Sequence, residues 1–67
     1  MNITAKELSG NHIGKTVTIN DDNPLTGTLD DTGINQHGLV WVEMTRGRSS
    51  FFAVLNPNTP ITIQEGQ

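Results

Sequence analysis

The chain contains no cysteine. Disulfide staples are therefore excluded, and thiolate metal sites with them. Apolar runs are also missing: none exceeds a few positions, whereas a membrane-spanning helix needs about 20 residues. Basic side chains are scarce, four against seven acidic ones. The net charge is −3 and the isoelectric point about 5.0. Such a surface does not neutralise phosphates over its whole extent, which argues against non-specific nucleic-acid binding and leaves room only for a local basic patch. The strong helix formers are thin, and Thr, Asn, Gly and Asp stand in their place, which is the chemistry of turns and strands. No nucleophile motif, phosphate loop or zinc spacing occurs. Met1 to Ser9 has no basic stretch followed by an apolar one, so no secretory signal is expected. The expected location is the cytoplasm, or a viral particle assembled there, such as that of a bacteriophage.

What is present fits one small domain over residues 1–67. A chain of this length buries only ~60% of its unfolded surface. With no disulfide, its stability must come from a well-packed core or from a partner subunit. Residues 1–10 read as a short N-terminal helix. Thr4 and Glu7 stand at capping-box spacing, Ile3 and Leu8 flank them as a hydrophobic staple, and Gly10 is placed to end the helix in a left-handed conformation. From Lys15 the period becomes two. Val17 and Ile19 alternate with Thr16 and Thr18 in a first strand. Asn20 to Pro24 is a turn by composition. Leu25, Gly27 and Leu29 alternate with Thr26, Thr28 and Asp30 in a second strand, with Gly27 marking a bend or bulge. Asp31 to Gly38 reads as a loop. Leu39 to Thr45 and Ser50 to Leu55 form a hairpin around Arg46 to Ser49. After a proline-limited connection, Ile61 to Ile63 make a fifth short strand, and Gln64 to Gln67 are expected to fray. The expected fold is mainly β: a small five-stranded antiparallel barrel, closed so as to remove exposed edges. Its expected core is Leu8, Ile13, Val17, Ile19, Leu29, Val40, Val42, Phe51, Leu55, Ile61 and Ile63.

Gly14-Lys15-x-Val17 entering the first strand, Gly27-x-Leu29 in the bent second strand, the apolar third strand and the final Ile61-x-Ile63 together resemble the Sm-like family of small β-barrels. The resemblance implies a helix-capped, five-stranded barrel and an RNA- or DNA-binding role. Where that family places an Asp and an Asn that line its RNA site, this chain has Gly33 and His37. The family's Arg-Gly pair before the last strand is replaced by Asn56-Pro57-Asn58-Thr59-Pro60. The resemblance therefore bears on fold and not on the RNA-lining residues.

Several constellations can be weighed for chemistry. His12, His37, Asp21-Asp22 and Asp30-Asp31 are the titratable candidates, and all lie in or beside turn-rich sequence where aspartates ordinarily cap backbone. Asn20 to Asn23 offer oxygens to calcium but lack the alternating ligand positions and distant glutamate of an EF-hand, so they read as a solvated turn. No metal or cofactor is expected, and the chain is read as non-enzymatic. Arg46-Gly47-Arg48 is the only basic pair close in sequence; on a hairpin tip its planar forks suit phosphate or carboxylate, but two arginines are a thin footprint and the favoured reading is a solubilising loop. The strongest lead is the hairpin itself. If Thr45 pairs with Ser50, then Val40, Val42 and Met44 share an inner face with Leu55, Ala53 and Phe51. Leu39, Trp41, Phe52 and Val54, with Glu43, are then left on the outer face. Such an apolar outer face is either covered by the N-terminal helix or buried against a partner. The expected function is a protein-interaction or self-assembly module using Leu39, Trp41, Phe52 and Val54. The alternative is an Sm-like nucleic-acid binder using Lys15, Arg46 and Arg48.

Overall fold

A computed structural model describes residues 1–64. All of its regular structure apart from two 3-10 turns is a single antiparallel sheet of six strands. The strands are β1 (Asn2–Thr4), β2 (Thr16–Ile19), β3 (Leu25–Ile34), β4 (Val40–Arg46), β5 (Ser49–Leu55) and β6 (Pro60–Ile63). Their order across the sheet is β1-β6-β2-β3-β4-β5.

The two-residue period explains most of this. In β2, Val17 and Ile19 are buried while Thr16 and Thr18 are half-exposed. The same alternation in β6 buries Ile61 and Ile63, and the register sets Val17 opposite Ile63 and Ile19 opposite Ile61. Leu29 from β3 and Val40, Val42 and Met44 from β4 complete the inner layer with Leu55. Of the residues predicted to be buried, Val17, Ile19, Leu29, Val40, Val42, Leu55, Ile61 and Ile63 are so, and Leu8 and Phe51 pack half-buried against them. Ile13 is not: it is 44% exposed. It follows a 3-10 turn rather than lying in a strand, so no alternation directs it inward. Ala5, absent from that prediction, is buried because its N–H is drawn onto the Thr59 carbonyl at 2.9 Å.

The N-terminal helix does not form. Asn2–Thr4 is instead a sixth strand, paired with β6 through Ile3 and Ile61, and it is followed by 3-10 turns at Ala5–Glu7 and Gly10–His12. A single helical turn fixes several dihedrals for one hydrogen bond and cannot persist unaided, whereas a β-ladder was at hand on β6. The reach of Glu7 is as expected: its carboxylate accepts the Thr4 N–H at 2.9 Å and the Thr4 hydroxyl at 3.0 Å. Gly10 starts the second turn, and the left-handed glycine falls at Gly14, φ 91°.

Nor does the sheet close into a five-stranded barrel. Closure would bring β6 against β5, but β1 occupies the second side of β6, so the sheet stays open with β1 and β5 as its edges. The second strand also runs further than expected, to Ile34, through what reads as a loop. The bulge lies between Leu29 and Asp31, one turn of the pleat beyond Gly27. Gly27 serves closeness instead: a Cβ there would stand 2.8 Å from the Thr45 carbonyl oxygen. In the expected frayed tail, Gln64 donates its N–H to Thr16 at 2.9 Å, and 65–67 lie outside the described residues.

Candidate protein-contact face

The hairpin register is the one the inner–outer argument required. Thr45 pairs with Ser50, Met44 with Phe51, Val42 with Ala53 and Val40 with Leu55. Gly47, φ 62°, opens a two-residue turn between Arg46 and Ser49, a position where positive φ suits the right-handed twist of the flanking strands. With Val40, Val42 and Met44 buried, Trp41 and Glu43 must point to the other side. Trp41 faces Gly33 on β3 and Val54 on β5, and Glu43 faces Asp31 and Phe52.

On that outer side Phe52 is 60% and Val54 49% exposed, while Trp41 is half-buried. The indole and the Phe52 ring are stacked, with centroids 6.0 Å apart and planes 18° from parallel. The two residues are diagonal neighbours across the β4–β5 ladder, a separation that only large side chains bridge. The other edge of the indole rests on Gly33, where a Cβ would come within 2.6 Å of Cζ2. Missing a side chain, Gly33 is a shelf for the ring. An aromatic row of two, Trp41 and Phe52, thus runs obliquely across β4 and β5 from the Gly33 shelf on β3. Leu39 lies just ahead of β4, half-buried, with its N–H donated to Asn35 Oδ1 at 3.1 Å. The N-terminal segment does not cover the row. Its backbone is tied to the connection before β6, by Ala5 to Thr59 and Lys6 to Pro57, and to β3 by Gly14 to Leu29.

The remaining candidates are scattered. Arg46 and Arg48 are exposed at the hairpin tip, and Lys15 is exposed ahead of β2, on the far side of β3. Near the tip, Asp30 accepts the Thr45 hydroxyl. Asp31 stands directly opposite Glu43, a like-charge pair beside the aromatic row. Asp30 and Glu43 also line a shallow depression of about 320 Å³ with Ser50 and Phe52. His12 Nδ1 accepts the Ser9 N–H at 3.1 Å, and His37 lies in the β3–β4 turn, its N–H given to Asn35 Oδ1 at 2.8 Å. Asp21 caps its own turn through the Asn23 N–H at 2.9 Å. Among the described residues no three His, Asp or Glu side chains gather as a metal site, and no helix is long and apolar enough to cross a membrane. The Glu7 carboxyl is held below the usual carboxylate range, chiefly by the Thr4 N–H and then by its hydroxyl.

Sequence reasoning missed the Gly33 shelf and the open edge at β5. The first could have been found only by pairing Asp31–Ile34 with β4, and the second only by seeing that residues 2–4 form a strand. The chain was compared with protein-family models, curated proteins and solved structures, and none matches.

Proposed function

We propose that this protein is a non-enzymatic contact module that binds protein, or copies of itself, through the outer face of the β4–β5 hairpin. The observation that carries this reading is the stacked Trp41–Phe52 pair on the outer face, with the Phe52 ring and the neighbouring Val54 exposed to water. Aromatic side chains at the centre of an interface commonly supply much of its binding energy. A solvent-facing Phe52 adds nothing to the core, and the part of its ring that the Trp41 stack leaves exposed is what a partner would cover. The nucleic-acid reading would rest on Arg46, Arg48 and Lys15. A phosphate chain laid along this side would meet Asp31 and Glu43, which favours a protein partner.

The test combines the fluorescence of the single tryptophan with sedimentation of the parent and of Phe52→Ser. In dilute solution the indole is expected to be open to acrylamide and Phe52→Ser to melt like the parent; at higher concentration the parent is expected to associate and Phe52→Ser to stay monomeric. An indole already protected in the monomer, or a Phe52→Ser protein that unfolds, would mean the row is structural. Raising salt separates the partner classes. Apolar association holds or strengthens, whereas binding of a single-stranded oligonucleotide probe would fall steeply.

A further inference from the structure

Edge strands left in water are ordinarily short, charged, interrupted by proline or bulged. β1 follows that pattern with three residues. β5 does not. It is seven residues long, Ser49–Leu55, without a charge or a proline, and it pairs with β4 in unbroken register. Arg46 and Ser49 close the two-residue turn. The closing pair of such a hairpin exchanges both of its backbone hydrogen bonds, and the pattern then alternates. Phe51, Ala53 and Leu55 accordingly direct their N–H and C=O groups to β4. Ser50, Phe52 and Val54 direct theirs to the open edge, where none finds a backbone or side-chain partner among the described residues.

We propose that β5 pairs antiparallel with β5 of a second copy, about a twofold axis at Phe52, joining two sheets into one. This rests on the contact-face reading and names its partner. With Phe52 opposite its own counterpart, Ser50 faces Val54 and Phe51 faces Ala53. All three outward-directed residues then become hydrogen-bonded pairs, about six bonds in all. On the outer face the two Phe52 rings meet, and the Trp41–Phe52 stack continues into the stack of the second copy. On the inner face the half-buried Phe51 lies beside the smaller Ala53, large against small on both sides of the axis. The occupant follows from charge and closure. An uncharged strand meets itself without the like-charge apposition that destabilises antiparallel pairs, and it offers no counter-charge to a charged foreign strand. Pairing β5 with β1 instead would use only three residues and would run on as an open filament, whereas the twofold pairing closes.

The experiment is sedimentation of the parent, Ser50→Pro and Phe52→Ser over a concentration series, with amide hydrogen exchange on the parent. Ser50→Pro removes an edge N–H that β4 does not use and leaves the aromatic row intact. The parent is expected to reach twice the chain mass of 7.3 kDa. Ser50→Pro is expected to stay folded and monomeric, and the amides of Ser50, Phe52 and Val54 are expected to slow together as concentration rises. A folded Ser50→Pro that still dimerises, while Phe52→Ser does not, overturns the edge pairing and leaves the contact face standing. A parent that stays monomeric with an exposed indole does the same. A monomeric parent with a protected indole removes both. Should Ser50→Pro fail to fold, the amides decide: a dimer in which those three exchange as freely as in dilute solution refutes the pairing.

Discussion

A Cβ built on Gly33 falls 2.6 Å from Cζ2 of Trp41 and 2.7 Å from two further indole atoms. Those atoms belong to a rigid bicycle, so an added methyl group cannot be met by the swing of a flexible chain end. The ring would have to leave the shelf and, with it, the Phe52 stack. Gly33→Ala is therefore expected to destabilise by about 1–3 kcal/mol, as overpacking does. Its indole emission should move to the red, with greater quenching by acrylamide. Unchanged emission would mean the indole does not depend on the shelf. Glycine's freedom at positive φ is not involved at this position, since the left-handed glycines among the described residues are Gly14, Gly38 and Gly47. Closeness alone fixes the residue type.

At the scale of elements, the β4–β5 hairpin was legible in the sequence as two apolar runs about a short turn; its register followed only from supposing Thr45 opposite Ser50, since both faces are apolar and a shift of one residue would exchange them. β2 and β6 were legible from their alternation. The first ten residues were not. Thr4 and Glu7 carry a local signal that serves a 3-10 turn as well as an α-helix, and Ile3 is as well placed on a ladder as on a staple. The choice was made by β6, some sixty positions away in the chain, which no local pattern reports. The end of β3 was hidden in the same way: Asp31-Thr32-Gly33 has loop composition and becomes strand because β4 lies alongside. The outer face was readable from the register, but its indole support and its open edge were not. The Thr4–Glu7 turn yields a prediction of its own. The Glu7 pKa is lowered in the folded state by the bonds from Thr4. Its contribution is thus present above the unfolded-state value and is lost as pH falls through the folded-state one. The Thr4 amide proton should shift with a midpoint below that of an ordinary glutamate, and its protection relative to the intrinsic exchange rate should fall at the acid end. Glu7→Gln should abolish that titration while β2 to β6 stay in place. A Thr4 amide indifferent to acid would mean the carboxylate does not hold the turn.

For the molecule as a whole, the open sheet sets the stability problem. The Ile63 N–H reaches the Met1 carbonyl at 2.7 Å, so the two ends of the described chain meet on one side of the sheet while β5 ends it on the other. One inner layer serves six strands, and a domain this small retains only a few kcal/mol against unfolding. If β5 pairs with β5, association is coupled to folding, and mass action makes the melting temperature depend on concentration. A tenfold rise adds about 1.4 kcal/mol per dimer, or ~0.7 kcal/mol per chain. For a domain of this size that is about 3–6 °C in Tm for each tenfold step above the dissociation constant. Below that concentration the slope should vanish, because the monomer then carries the whole transition. Calorimetry from the micromolar to the millimolar range reads this directly. Ser50→Pro should melt at a constant temperature throughout, equal to that of the dilute parent to within the small effect of the proline itself. A parent whose Tm is flat across the same range would show that the domain holds its fold alone and that the edge at β5 contributes nothing to it.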